Sequence, residues 1–328
     1  MADKASGRPV VGVDLGGTKI LAAVVHAGDE KILGRSKKPT PAKEGGAAIL
    51  AAIVAAADEA LAEAGVARGQ IAGIGVGSPG PIDIASGEIL FSANLNVRNF
   101  ALGSGLSSEM GRPVIVRNDV QVGGYGEFRL GAGRGYENIL AAFIGTGIGG
   151  CLVSDGKVVE GSTGNAGEVG HITIKVGGPK CGCGRRGCLE VFSSRSAIAR
   201  RITKAVRKGH STVLADKVDK KSGRLKSGEL AEAVAAQDQV ALKEVHRAAH
   251  YLGIGLGSLV NVLGPEIVIV GGGVTEALGA PWIDLVRASM RKAVLVDPHE
   301  SIEVEAASLG DDAGVLGAAL LASEKFEA

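Results

Sequence analysis

The chain has 328 residues, a formal net charge of +1, only 3% aromatic residues and 52 glycines. A near-zero charge supplies no field to gather nucleic acid or an acidic membrane surface, so both are excluded as expected partners in favour of a small molecule. The length exceeds the usual span of one hydrophobic core, so two lobes are expected, with interiors of Val, Ile, Leu and Ala because aromatics are scarce.

The first residues, MADKASGRPVV, lack the apolar core and cleavage site of a secretory leader, and no uninterrupted apolar run is long enough to span a bilayer; a cytoplasmic protein is expected. From Pro9 strands and turns alternate: PVVGVD, the glycine turn LGGTK, ILAAVVHAG, a short turn at Gly28 and Asp29, then EKILGRSKK. This predicts a meander of β-hairpins. Gly45 to Ala64 carries Ala, Ile and Leu at helical spacing, and QIAGIGVGSPGPID returns as a buried strand stopped at Pro79 and Pro81. Asn94 to Phe100 reads as loop and Gly103 to Met110 as a short helix. RPVIVRND is a strand ending on the polar pair Asn118-Asp119.

The first lobe is expected to end there, giving residues 1–118 with the closing segment 311–328 in one lobe and 119–310 in the other. Val120 to Leu130 reads as a helix despite Gly123, Gly124 and Gly126. ENILAAFIGTGIGGCLVSDGKVVEG then repeats the opening order of strand, glycine turn, strand, turn, strand, which suggests two similar lobes facing each other across a cleft. Helices are expected from Ser193 to Arg207 and from Ser227 to Leu263, the latter broken near Ala236 to Gln239; the polar piece Lys204 to Lys226 reads as solvated. PEIVIVGGGV is a strand meeting a triple-glycine turn at a helix start, SIEVEAASLG a further strand, and DAGVLGAALLASEKF a closing amphipathic helix. The ordering is α/β throughout.

Glycine turns of this kind need separate physical readings. GVDLGGTK has Gly17-Thr18-Lys19 where a P-loop needs Gly-Lys-Ser/Thr, and a strand follows where a helix is required. Gly145, Gly147 and Gly150 satisfy GxGxxG, as do Gly75, Gly77 and Gly80, but neither set opens a helix, so a Rossmann dinucleotide site is not supported. Two glycine hairpins can instead present backbone N–H groups to phosphate oxygens, with Asp14 placed to hold a magnesium ion through water; each turn alone could equally be an ordinary hairpin. Asp119 is the acid/base candidate, the alternative being a carboxylate that caps the following helix. His171, Cys181, Cys183 and Cys188, spaced H-x9-C-x-C-x4-C, suit a tetrahedral zinc ion, and four protein ligands leave no open position for a catalytic water. A structural zinc is therefore expected rather than a zinc hydrolase, the remaining alternative being buried thiols beside a surface histidine. Cys151, alone in CLVSD, reads as a small buried apolar residue. Glu168 and Glu190 flank the cysteine cluster and could bind hydroxyls or merely support the ligands.

DLGGTK, GSPGPID, the Asn118-Asp119 pair, IGTGIGGCLV, and above all GEVGH followed by CGCGRRGCLE resemble the ROK family of sugar kinases and repressors, and within it the bacterial glucokinases. The likeness runs from about Val11 to LGDDAGVLGAALLA. It implies a two-lobed hexokinase/actin-like, ribonuclease H-like α/β fold and ATP-dependent phosphorylation of a hexose, glucose first. The alternatives are N-acetylglucosamine, N-acetylmannosamine or fructose as acceptor, and, more distantly, a sugar-responsive repressor, for which the hairpin beginning at Gly12 leaves no expected DNA-binding segment. By this resemblance Asp119 is the general base, while Asn94, Asn118, Glu168, His171 and Glu190 bind sugar hydroxyls, His171 also holding zinc. Asp14, Gly16, Gly17, Thr18, Lys19, Gly145, Thr146 and Gly147 would hold the ATP phosphates with Mg2+, and Gly271, Gly272 and Gly273 would lie near the adenosine. A homo-oligomer, dimer or tetramer, is expected. Gln121 and the pair Asn96-Val97 depart from the family pattern, and Lys208 to Ser227 resembles an insertion.

Overall fold

The computed structural model describes residues 7–26, 31–219, 224–295 and 302–327. The expected turn at Gly28 and Asp29 and residues 220–223 of the polar stretch lie outside them. The chain opens with β1 (Val10–Leu15), β2 (Lys19–His26), β3 (Lys31–Pro39), α1 (Gly46–Ala64), β4 (Ile74–Ser78), β5 (Ile82–Asp83), β6 (Glu88–Ser92) and β7 (Val97–Phe100). It continues through α2 (Leu102–Met110), β8 (Val114–Asn118), α3 (Asp119–Leu130), β9 (Ile139–Ile144), β10 (Ile148–Ser154) and β11 (Lys157–Val158). After the cysteine-rich loop come α4 (Glu190–Ser193), α5 (Arg195–Arg207), α6 (Ser227–Ala235), α7 (Gln239–Leu263), β12 (Ile267–Gly271), α8 (Gly273–Leu278), α9 (Ala280–Arg291), β13 (Glu303–Ala306) and α10 (Asp312–Phe326).

Two compact units result. One comprises Met1–Gly135, Val158–Gly167 and Asp311–Ala328; the other comprises Tyr136–Lys157 and Glu168–Gly310. Each contains a five-stranded sheet of the same internal order, β3-β2-β1-β4-β8 and β11-β10-β9-β12-β13. In both, the leading strand pairs antiparallel with its hairpin partner and parallel with a later strand, so the repeat read from the sequence is a repeat of topology. Parallel strands buried on both faces demand continuous apolar runs, and IVIVG of β12 is buried at every position. The apolar interiors are separate: Val11, Ile20, Ile53 and Leu106 belong to one, Leu140, Leu252, Val268 and Trp282 to the other. No helix among the described residues is long and apolar enough to cross a membrane.

The expected lobe boundary at 118 is corrected by the structure, which places α3 and residues 158–167 with the first unit. The cause is close backbone packing. A Cβ at Gly317 of α10 would stand 1.7 Å from the Val122 carbonyl oxygen of α3, and one at Gly126 of α3 would stand 2.4 Å from that of Ala313. The same helix lies directly on the sheet, where a Cβ at Gly12 or Gly75 would come within 2.0 Å of the Val315 oxygen or 1.9 Å of the Ala318 oxygen. Residues 158–167 are tied in by Gln121, whose Nε2 donates to the carbonyls of Gly164 and Ala166 at 3.3 and 3.0 Å, and by the Arg117–Glu160 ion pair.

Other readings change as well. Asn94 to Phe100 is not all loop, since β7 completes a small antiparallel β5-β6-β7 sheet; the alternation was masked by Asn96 and Asn99, both with positive φ (53° and 47°). The closing helix is not amphipathic but buried from Val315 to Leu320, because it packs on both α3 and the sheet. The helix expected from Ser193 is interrupted at Ser194, whose side chain accepts from the Ala197 N–H and starts α5. α9 is not among the expected elements; Pro281 stands in its first turn, where a missing N–H costs nothing.

Gly317→Ala is expected to destabilise the protein by at least about 2 kcal/mol, the scale of forced overpacking, in urea unfolding. Gly228→Ala on α6, where a Cβ meets nothing within 4 Å, is expected to be neutral or slightly stabilising. Equal stability of the two variants would refute the close-packing account.

Candidate active site and metal centre

In the first unit the glycine turn between β1 and β2 is held by its neighbours rather than by left-handed backbone. The Gly16 N–H donates to the Lys19 carbonyl at 2.9 Å, and the Thr40 hydroxyl donates to the Gly16 carbonyl at 2.7 Å. A side chain at Gly17 would approach Asn94, whose Cβ would lie 3.1 Å away; this explains how Asn94, distant in sequence, reaches the same turn. Thr18 is exposed at the tip. Lys19 is paired with Asp311 at 2.7 Å, so its ammonium already has a carboxylate partner.

Asp14 is the penultimate residue of β1, beside this turn and against α10, where a Cβ at Gly314 would come within 2.9 Å of its carboxyl carbon. Burial pushes its pKa up to about 6, the negative charge of Asp119 adds to the shift, and Lys19 opposes it. The two acids are therefore within electrostatic reach of one another. At the head of α3 the Asn118 side-chain oxygen accepts from the N–H groups of Val120 and Gln121 at 2.9 and 3.3 Å. Asn118 is thus the helix cap, and its amide nitrogen donates to the Gly80 carbonyl at 3.4 Å. Asp119 occupies the first helical position, its Oδ1 accepting from Val120 at 2.9 Å. Gln121, where the family pattern differs, anchors residues 164–166 as described above; its Oε1, like the Ser78 hydroxyl, is buried with no protein partner.

In the second unit the turn Gly145-Thr146-Gly147 joins β9 to β10, with the Gly145 N–H donating to the Gly147 carbonyl at 2.9 Å. Glu190 lies against it: Oε2 accepts from the Ile148 N–H at 3.1 Å, and a Cβ at Gly147 would stand 2.3 Å from the same oxygen. Its other oxygen is 3.4 Å from the Cys181 Sγ. One carboxylate therefore joins the glycine turn to the cysteine loop, a link that local sequence patterns gave no means of seeing. Gly271 ends β12, and Gly272, with φ 84°, turns the chain into α8.

The donor atoms of His171, Cys181, Cys183 and Cys188 all lie within 4.8 Å of one another. Cys183 Sγ is 3.7 Å from Cys188 Sγ, and Cys181 Sγ is 3.8 Å from His171 Nδ1. Tetrahedral bonds of about 2.3 Å to thiolates set neighbouring donors about 3.8 Å apart, so the four residues fit one metal ion. His171 points its other nitrogen, Nε2, toward Glu168, 3.9 Å from Oε2. Cys151 is fully buried, as the sequence suggested, and burial pushes its thiol up to about 12.

Sequence reasoning missed Arg195. Its backbone N–H donates to the Gly145 carbonyl at 2.9 Å and its guanidinium to the Thr146 hydroxyl at 2.7 Å. Fifty residues of intervening chain, roughly, leave no spacing rule that would have connected them.

Duplicated sheets opened by glycine hairpins, with an acid near the end of the first strand and a Cys3His loop in the second unit, define a protein of the hexokinase and actin-like class. The model of the ROK family matches residues 10–325, and the chain belongs to that family. It is 38% identical to the glucokinase of Halalkalibacterium halodurans over 98% of this chain and 96% of that protein. Its fold matches the ROK hexokinase of Thermus thermophilus with a TM-score of 0.83 at 36% identity, covering 97% of this chain and 99% of the other. It matches a ROK family glucokinase from Streptomyces griseus, in complex with glucose and AMPPNP, with a TM-score of 0.81 at 34% identity, covering 96% and 99%. The resemblance and fold class read from the sequence are borne out.

The raised Asp14 pKa has a stability consequence. A carboxyl whose folded pKa lies above its unfolded value favours folding only while protonated, so its contribution declines as pH rises from about 4 toward about 6. In nucleotide-free, metal-free buffer, Asp14→Asn is expected to stabilise the protein by about 1–3 kcal/mol near pH 8, with the gain vanishing near pH 4. A pH-independent difference between the two urea-unfolding curves would overturn the assignment.

Proposed function

We propose that the chain is an ATP-dependent hexose kinase that converts glucose to glucose 6-phosphate, with Asp119 as general base. The observation that carries this reading is the head of α3: Asn118 caps the helix, accepting from the Val120 and Gln121 N–H groups, and Asp119 stands at its first position, accepting from Val120 through Oδ1 and within electrostatic reach of Asp14. Near-full-length similarity to glucokinases supports the sugar and the donor. AMPPNP is an ATP analogue, and the chain follows the Streptomyces griseus enzyme along almost its whole length.

In this mechanism Asp119 accepts the proton of the glucose 6-hydroxyl as that oxygen bonds to the γ-phosphorus and the bond to the bridging oxygen of ADP breaks. Such transfers depend on positioning and charge neutralisation. Asn94, Glu168, His171 and Glu190 hold the other hydroxyls, and the remaining amide hydrogen of Asn118 can donate to one. The two glycine turns with Thr18 and Thr146 cradle the phosphates, and Gly271–Gly273 lie by the adenosine. Mg2+ bound with ATP would neutralise phosphate charge, with Asp14 beside it through water. Lys19 keeps its Asp311 partner and would act on phosphate only at longer range.

His171, through Nδ1, and the thiolates of Cys181, Cys183 and Cys188 would hold zinc in a structural part. The segment from Thr173 to Cys188 belongs to no named strand or helix and is held by turn hydrogen bonds and the isolated bridges Thr173–Cys188 and Lys180–Arg186, so the ion would staple a segment without regular secondary structure. It thereby orients His171 Nε2 and Glu168 toward sugar hydroxyls. The reaction consumes cytosolic ATP, which suits a cytoplasmic enzyme.

With purified protein and ATP, glucose is expected to give the highest kcat/KM among glucose, mannose, fructose, N-acetylglucosamine and N-acetylmannosamine. Asp119→Ala should lower kcat by at least about a hundredfold while glucose still binds by calorimetry. Near-normal turnover would refute the base assignment, and preference for an N-acetylhexosamine would reassign the substrate. Metal analysis is expected to find about one zinc per chain, and Cys183→Ser should lose both zinc and activity. Active protein free of zinc would end the metal assignment.

A further inference from the structure

Arg195, the first residue of α5, stands among the elements that the proposed function assigns to the nucleotide. Its backbone N–H binds the Gly145 carbonyl at 2.9 Å, Nη2 donates to the Thr146 hydroxyl at 2.7 Å, and Nη1 lies 3.5 Å from the Ser227 hydroxyl at the start of α6. Ser227 in turn faces the third glycine turn, with its oxygen 3.6 Å from where a Cβ on Gly273 would sit. The guanidinium thus lies between the Gly145–Gly147 turn and the Gly271–Gly273 turn. Its side-chain partners there are neutral hydroxyls, and no carboxylate pairs with it among the described residues. Neutral contacts orient a guanidinium without cancelling its charge. Its planar fork retains N–H groups suited to bidentate contact with phosphate oxygens.

We infer that Arg195 is a nucleotide-binding residue whose guanidinium contacts the phosphate chain of the donor, the Thr146 hydroxyl orienting the guanidinium and the Gly145 carbonyl fixing the residue's backbone. This rests on the kinase reading above and deepens it: the glycine turn contributes backbone dipoles, and Arg195 contributes the full positive charge that Lys19, paired with Asp311, does not bring unpaired.

The test is calorimetric binding of adenosine, AMP, ADP and ATP to the full chain and to Arg195→Ala, Arg195→Gln and Arg195→Lys. For Arg195→Ala, ATP affinity is expected to fall by about 10–100-fold, the range for losing a hydrogen bond to a charged group, with adenosine affinity changed less than about twofold and glucose affinity unaltered. The nucleotide at which wild type and variant diverge identifies the phosphate contacted. Arg195→Gln, which can still hydrogen-bond the Thr146 hydroxyl, should behave like Arg195→Ala, and Arg195→Lys should recover part of the loss. Equal losses for adenosine and ATP, or full recovery by Arg195→Gln, would reduce Arg195 to a support of the turn and overturn the inference. Wild-type protein that neither binds nor uses ATP would instead remove the kinase reading on which it rests.

Discussion

The first unit depends on how closely α10 can approach its neighbours. Glycines at 12, 75, 126 and 317 let this helix approach β1, β4 and α3 at positions where carbonyl oxygens occupy the space a side chain would need. Strand register sets the end of β1 and the start of α3 at one level, with Asp14 opposite Gly77 and Gly77 opposite Arg117, so Asp14 feels the charge of Asp119 across a residue with no side chain. The acid pair is therefore a product of sheet register, and burial raises the Asp14 pKa further. Glycine is used here for space, not for unusual dihedral angles, because Gly12, Gly75, Gly126 and Gly317 are all outside the positive-φ set.

The second unit solves a different problem. Its cysteine-rich loop lies outside any named strand or helix and is ordered by turn hydrogen bonds and two isolated bridges. Side chains add to this: the donor atoms of the Cys3His cluster lie within 4.8 Å of one another, and Glu190 connects Cys181 to the Ile148 N–H. A carboxylate that touches both the cysteine cluster and the glycine turn makes their positions interdependent: displacing Glu190 would withdraw the acceptor that fixes the start of β10. Arg195 reinforces that turn from its other end, through the Gly145 carbonyl and the Thr146 hydroxyl.

Much of this was legible in the sequence where the signal is local. Apolar runs between glycine turns marked β1, β4, β9 and β12, and the repeated hairpin pattern anticipated two sheets of one order. The ligand spacing from His171 to Cys188 foretold the cluster because its members are near neighbours along the chain. Left-handed asparagines hid β7, and α9 is not among the expected elements. The first-lobe boundary was misplaced because a helix following a strand belongs to whichever core it packs against, which periodicity does not reveal.

By itself, then, the sequence determined the class of fold, the family and the members of the Cys3His cluster, since these rest on motifs and spacings that are local in the chain. Only the tertiary structure decided that Asn118 rather than Asp119 caps α3, that Lys19 is taken up by Asp311, and that Gln121 anchors residues 164–166. It also decided that Glu190 and Arg195 meet the Gly145–Gly147 turn. The physical reason is common to all of these. Each side chain has several partners it could satisfy, and the choice is made by which backbone groups long-range packing brings within hydrogen-bonding distance.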